Sequence, residues 1–272
     1  MHPTMHPFVA LMRRYCIDYT NSHDQSLYDE LMEPDYVVHI NGMELGRSTT
    51  YARSVEKLFA MAPGLGLVVH DIVLNGDRLC MYFSEHAAMP GRAGPALACW
   101  RGIGLYKWNG TRLTENYVEQ DYLAMQAQLS SRAPHPLTPP HLDPWTTTEA
   151  VAPDGDAEAL VRAWLDRGDL TDARRHEIND MRTGATYEPV IDVESVRVND
   201  LFSAGASVPF HVTMHGHYRG GLGAKVGDQV GSPASLTVVG IARVANGSVD
   251  HFDAITGRMQ LASELGASER ER

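Results

Sequence analysis

Between Ser131 and Asp154 the chain carries Pro134, Pro136, Pro139, Pro140, Pro144 and Pro153, six of its 15 prolines. Each proline removes a backbone donor and pushes its predecessor toward extended geometry, so no helix or central strand can cross this stretch. The 272 residues are thereby cut into a first unit, 1–130, a stiff linker, 131–154, a second unit, 155–265, and a charged tail, 266–272. Each unit must build its own core, and each is long enough to do so.

Both units begin with helical periodicity and continue in strands. Phe8, Leu11, Met12, Tyr15, Cys16 and Tyr19 recur at helical spacing, a short helix is expected over Gln25–Met32, and Tyr51, Val55, Leu58 and Phe59 mark another. A strand is expected at Asp35–Asn41, then three longer ones at Leu67–Leu74, Arg78–Met89 and Leu97–Trp108, and a last at Arg112–Asp121. Asn75-Gly76 and Asn109-Gly110 read as hairpin turns, because both residues tolerate positive φ. A helix follows Asp121. In the second unit an amphipathic helix covers Ala157–Leu165 and a weaker polar one Thr171–Met181. Strands follow at Val190–Val198, Val208–Tyr218, Leu236–Val244 and Ser248–Ile255, the last two joined by Asn246-Gly247. Gly102-Ile103 echoes Gly240-Ile241, and Ser84-Glu85-His86 lines up with Thr213-Met214-His215. The units therefore read as a weak internal repeat, the second shorter by roughly one short helix and one strand. Two unrelated domains that share Asn-Gly hairpins are the alternative. Alignment by the Asn-Gly turns places Asp253 near Tyr117.

Composition excludes some functions. With 23 basic against 34 acidic residues, net charge −11, nonspecific attraction to nucleic acid or anionic lipid is disfavoured. No uncharged apolar run approaches the ~18–20 residues of a membrane span, and Phe8–Met12, followed by Arg13-Arg14, is too short for a signal peptide. Cys16, Cys80 and Cys99 are odd in number and widely spaced, which fits a reducing cytoplasm better than a disulfide framework.

Helices followed by a meander of long strands define an α+β pattern. Tyr36-Val37-Val38-His39, together with Asn109-Gly110-Thr111-Arg112-Leu113 leading into Glu115-Asn116-Tyr117-Val118-Glu119-Gln120-Asp121-Tyr122-Leu123, resembles the SnoaL-like polyketide cyclases. These belong to the nuclear-transport-factor-2-like superfamily, with its ketosteroid isomerases, scytalone dehydratases and limonene epoxide hydrolases. The second unit matches more weakly, through His215-Gly216-His217-Tyr218-Arg219-Gly220. The resemblance implies two tandem cone-shaped, cystatin-like domains, each with helices packed on a curved antiparallel sheet. It further implies a hydrophobic pocket that uses neither metal nor organic cofactor, a small apolar substrate, and acid–base chemistry of the cyclase, isomerase or dehydratase type. A noncatalytic binding or dimerisation module is the competing reading. The expected partner of each unit is the other, as a pseudo-dimer within the chain, with a further homodimer as an option.

The resemblance assigns the acid–base role to Asp121, although an Asp there also reads as a helix cap. His39 matches the strand histidine, and Tyr19 or Tyr15 the helix-one tyrosine that holds an oxyanion. Glu119 and Tyr117 share a strand face with Asp121. His86, Trp100 and Arg101 complete the candidate binding set; Trp100 and Arg101 point oppositely, so only one can see a pocket. Val118 stands where epoxide hydrolases of this type carry an Asp, which argues against that reaction. His211, Thr213, His215 and His217 share a face of one strand. His211 and His217 lie about 20 Å apart at ~3.3 Å per residue, so a metal site could use only His215 and His217 with His251 or Asp253. A polar sheet face is the stronger reading of that row.

Overall fold

The computed structural model describes residues 5–90, 94–136, 138–179 and 187–270. The fold is α+β, with two separate sheets. The chain enters through α1 (Pro7–Arg13), which continues as a π-helical stretch over Arg14–Asn21. The wider π turn brings Tyr15, Tyr19 and Thr20 to one side of the helix, and all three face a single cavity. A 3-10 turn at Gln25–Leu27 and the one-turn α2 (Tyr28–Leu31) precede β1 (Met32–Ile40), β2 (Met43–Gly46), a second π turn at Arg47–Tyr51, and α3 (Ala52–Met61). Then come β3 (Gly66–Leu74), β4 (Arg78–Met89), β5 (Ala96–Trp108), β6 (Leu113–Gln120) and α4 (Tyr122–Ser131).

The second half runs α5 (Gly155–Leu165), β7 (Arg175–Ile178), β8 (Ile191–Leu201), β9 (Ser207–Tyr218), a 3-10 turn at Ala224–Gln229, β10 (Pro233–Ala245), β11 (Ser248–Thr256) and α6 (Arg258–Arg270). The first sheet has the order β2-β1-β6-β5-β4-β3, and the second β7-β11-β10-β9-β8. Strand for strand, the second order is the first without a counterpart of β2 among the described residues. In both, the opening strand lies parallel to the closing one, β1 beside β6 and β7 beside β11.

Register sharpens the correspondence. Phe83 pairs with Gly102 in the first sheet and Phe210 with Gly240 in the second. Each glycine makes room for its phenylalanine: a Cβ on Gly102 would meet Phe83 Cζ at 2.5 Å, and one on Gly240 would meet Phe210 Cζ at 2.6 Å and the Asp253 carbonyl oxygen at 2.8 Å. Phe83 borders a cavity into which it can yield, whereas Phe210 sits in a filled core. Gly240→Ala is therefore expected to destabilise by about 1–3 kcal/mol, and Gly102→Ala by less; urea unfolding of the two variants measures the order.

Several expectations change. Thr171–Met181 reads as a polar helix, yet Arg175–Ile178 is a strand pairing with His251–Ala254; edge pairing outweighs weak helix propensity, and Asp180 and Met181 lie outside the described residues. Asn41-Gly42 forms a further hairpin turn, with φ of 52° and 70°, that the strand ending at Asn41 conceals. Pro34 falls inside β1 at a register shift between Met32 and Val37, where a missing donor is tolerated. Of the charged tail expected after Leu265, residues up to Arg270 continue α6, and 271–272 lie outside the described residues. Asp253 pairs with Ile241 as Glu119 pairs with Ile103, so it corresponds to Glu119 and not to Tyr117; bulges beside each turn offset a count made from the turns. By the same register Glu85 corresponds to Val212, two positions from the alignment of Ser84-Glu85-His86 with Thr213-Met214-His215.

The proline-rich stretch is a strap. His141 N–H donates to the Val69 carbonyl and Val151 N–H to the Leu74 carbonyl, both 2.9 Å. This covers the open edge of β3, which would otherwise offer unpaired backbone to another chain.

The two sheets pack back to back. Val73, Cys80, Tyr82, Ile103 and Leu105 of the first meet Phe202, Ala204, Val239, Ile241 and Ile255 of the second in one buried apolar cluster. Ion pairs ring it: Arg78 with Asp200, Arg243 with Asp71, Arg258 with Asp121 at 3.0 Å, and Arg101 with Glu177 at 3.5 Å. No helix among the described residues is long and apolar enough to cross a membrane.

Candidate active site

Strand alternation divides each sheet into a face under the helices and a face toward the other sheet. On β4, Leu79, Met81, Phe83 and Glu85 point under the helices, while Cys80, Tyr82, Ser84 and His86 point outward. On β6, Asn116, Val118 and Gln120 point inward, and Glu115, Tyr117 and Glu119 outward. Phe83, Glu85, Asn116, Val118 and Gln120 of this inward set, with Tyr15, Tyr19, Tyr51, Tyr106 and Tyr122, enclose a cavity of about 220 Å3 closed by Ile40, Leu45, Val55, Leu58 and Phe59. This is below the ~300–1,000 Å3 of typical drug-sized sites, which limits the guest to a small molecule.

Glu85 is the one carboxylate among the described residues of this lining. Only 6% exposed, it has a buried Oε2 without a hydrogen-bond partner. Burial pushes its pKa from 4.5 up to about 7, opposed in part by hydrogen bonds from Gln120 and Trp100. A carboxyl group poised near neutrality and short of one partner can take or give a proton. Trp100 lies behind it and donates Nε1–H to Gln120 Oε1 at 2.7 Å.

Around Glu85 stands a group of phenols. The Tyr15 and Tyr51 hydroxyls are 3.0 Å apart, and Tyr19 donates to Tyr28 at 3.1 Å. Burial raises the pKa of Tyr15, Tyr19 and Tyr51 well above the ordinary value. They therefore remain protonated donors at neutral pH, suited to holding negative charge on a substrate oxygen.

Of the residues expected from sequence, Tyr15 and Tyr19 line the cavity, and Trp100 reaches it through Gln120. The others lie elsewhere. Asp121 faces the second half: its carboxylate accepts from the Ala124 amide as the cap of α4 and from Arg258 Nη2 at 3.0 and 3.1 Å. His39 points outward, stacked on Tyr117 at 4.1 Å and 3.0 Å from Glu115 Oε1. Glu119, fully buried, faces His211 of the second half. His86 bonds Ser84 on the outer face, and Arg101 bonds the Tyr82 hydroxyl. The face-sharing of Glu115, Tyr117, Glu119 and Asp121 holds, but theirs is the face toward the second sheet. Side-chain alternation fixes who shares a face and leaves open which face is the pocket. Glu85 is legible as the single charge in the alternating run Leu79, Met81, Phe83, Glu85, Ala87; the polar residues beside it, Ser84 and His86, point to the wrong face.

Among its described residues the second half has no equivalent arrangement. Where the first has Glu85, Trp100 and Gln120, matching register places Val212, Val238 and Ala254. Trp164 of α5 packs on Phe210 and Phe252 in a continuous apolar core. The histidine row is dispersed: His211 meets Glu119, His215 meets Ser235, and His217 meets Glu194. Among the described residues no three His, Cys, Asp or Glu side chains converge as a metal would need.

No family model matches the sequence, and no curated protein does. Solved structures are similar to about half of the chain. A candidate polyketide cyclase from Acidithiobacillus ferrooxidans is 21% identical, covering 49% of this chain and 100% of its own, with a TM-score of 0.42. IdmH from Streptomyces antibioticus, a candidate polyketide cyclase, is 20% identical over 46% of this chain and 98% of its own, TM-score 0.41. A candidate SnoaL-like polyketide cyclase from Jannaschia sp. CCS1 is 18% identical over 48% and 96%, TM-score 0.42.

Proposed function

We propose that the first half is an acid–base enzyme acting on a small, largely apolar carbonyl or hydroxyl compound, in a reaction of the cyclase, isomerase or dehydratase type. One observation carries this reading: Glu85 is a buried, half-satisfied carboxyl group with a pKa near 7 in an otherwise apolar, tyrosine-lined cavity. Ionised Glu85 takes a proton from carbon beside a carbonyl, charge develops on the carbonyl oxygen, and buried phenols of the Tyr15–Tyr51 pair donate to it. Glu85 then returns the proton to carbon or to a departing hydroxyl. Every step uses side chains already in the cavity.

The second half, with its filled core and its sheet laid against the first, is a noncatalytic copy of the same unit that serves as a built-in partner. The matching strand orders and Phe–Gly pairs support that origin.

The test is turnover of a panel of small polyketide-type and monoterpenoid carbonyl compounds, sized to a cavity of about 220 Å3, by wild type and Tyr51→Phe. Losing one donor of an oxyanion pair should cost about 10²-fold in kcat, with less effect on KM. Unchanged kcat in Tyr51→Phe would remove the phenol pair from the mechanism.

A further inference from the structure

The hairpin of β1 and β2 forms one end of the sheet wall between the cavity and the second half of the chain. Its residues Ile40 and Leu45 line the cavity. His39 and Glu44 look the other way, into a polar cleft between the halves that Tyr117, Glu119, Asn199, His211 and Thr213 also line. At the tip, the hairpin turns at Asn41-Gly42, and the Asn41 amide would lack a partner there but for Glu119. That amide donates to both carboxylate oxygens of Glu119, each at 3.2 Å.

Glu119 is 0% exposed. A buried carboxylate needs a donor opposite, and the second half supplies it: His211 Nε2 lies 3.3 Å from Glu119 Oε1. The Asn199 side-chain amide lies 2.9 Å from His211 Nδ1. With the amide donating there, Nδ1 is the acceptor and Nε2 carries the hydrogen that Glu119 receives. Asn199 also donates to Thr213 at 2.9 Å, so the imidazole is held in both rotation and tautomer. The chain Asn199–His211–Glu119–Asn41 N runs from β8 of one half to the hairpin tip of the other.

From this geometry we infer that His211 is a positioning residue for the first-half cavity. Through Glu119 it fixes the β1–β2 hairpin in the closed position in which Ile40 and Leu45 complete the apolar wall. The inference rests on the reading of that cavity as the reaction site. It also assigns the second half a task in trans-domain support of the cavity, since the atoms that hold the hairpin belong to both halves.

The test uses the full chain with two readouts: amide hydrogen exchange across the hairpin, and release of the small neutral fluorophore 1-naphthylamine from the cavity. In His211→Leu the hairpin amides should exchange about 10-fold faster or more, as expected for loss of a charge-assisted bond, and the probe should leave faster. His211→Gln, whose amide can donate to Glu119, should restore both toward wild type. Val161→Ala lowers the stability of the second core without touching the chain of bonds, and should leave hairpin exchange as it is. Should His211→Leu fail to fold with Glu119 left unpaired, the double variant Glu119→Gln/His211→Leu removes the buried charge and the tie together and should show the same fast exchange. Hairpin exchange in His211→Leu equal to wild type, or raised equally by Val161→Ala, overturns the inference. A probe that wild type does not bind would count against the cavity as a reaction site, while the exchange comparison still decides the role of His211.

Discussion

Glu85→Gln should lose roughly 10²–10⁴-fold in kcat and at the same time make the protein more stable above neutral pH. Both effects come from one cause. Folding raises the pKa of Glu85 from 4.5 to about 7 by burial, so between those pH values the folded state binds a proton that the unfolded chain has released. Stability therefore falls as pH rises through this window, and above pH 7 the full cost of the buried charge is present. At 1.36 kcal/mol per unit of pKa, that cost is about 3 kcal/mol. Glutamine has the same shape and no charge, so urea unfolding at pH 8 should show the variant about 3 kcal/mol more stable than wild type. The difference should shrink steadily toward pH 4.5 and vanish below it. A variant that loses turnover without this pH-dependent gain would place Glu85 in the reaction but outside the desolvated cavity. One that gains stability yet keeps turnover would make it a buried structural acid.

The second large effect is expected at Arg258. Asp121 is 2% exposed and its carboxylate receives Arg258 Nη2 together with the Ala124 amide. Arg258→Ala removes the cation and leaves a buried charge with a single amide donor. Breaking a buried pair from one side costs about 3–5 kcal/mol. Asp121→Asn keeps a capping oxygen for α4 and removes the charge, so the double variant Asp121→Asn/Arg258→Ala should recover much of the loss. Denaturation of the single and double variants, analysed as a cycle, measures this. Additive losses would mean that the two residues do not act as a pair. The same measurements separate structure from catalysis, because Asp121→Asn should leave turnover largely intact if proton transfer belongs to Glu85.

Much of the fold is legible because hydrophobic alternation and Asn-Gly turns are local signals. β3 to β6 and β8 to β11 lie where alternation places them, and the Asn75, Asn109 and Asn246 turns join them. The remainder is decided by tertiary contacts. Arg175–Ile178 becomes a strand only because β11 offers an edge, and α6 is recognisable chiefly through what Arg258 and Leu261 bury against. The site is half legible. Tyr15 and Tyr19 follow from helical spacing, but the resemblance in sequence directs the search for a catalytic carboxylate to β6 and its end. A strand written Leu-x-Met-x-Phe-x-Glu places one charge on an apolar face, and burying it there is costly enough to need a reason. Asp121 and Glu119 meet that same requirement by pairing across the interface, which no periodicity within one strand can reveal.

The strap that runs from α4 along the edge of β3 to α5 has a consequence for how the halves associate. Two separate cones that met through these sheets would form a dimer that dilution could split, and their contact surface would have to be complementary to itself. Joined in one chain, the halves see each other at an effective concentration on the order of millimolar whatever the protein concentration. They are also free of the demand for self-complementarity. Position for position, Glu119 can differ from Asp253 and His211 from Ser84, so that one half keeps a hollow interior while the other is filled and becomes its support.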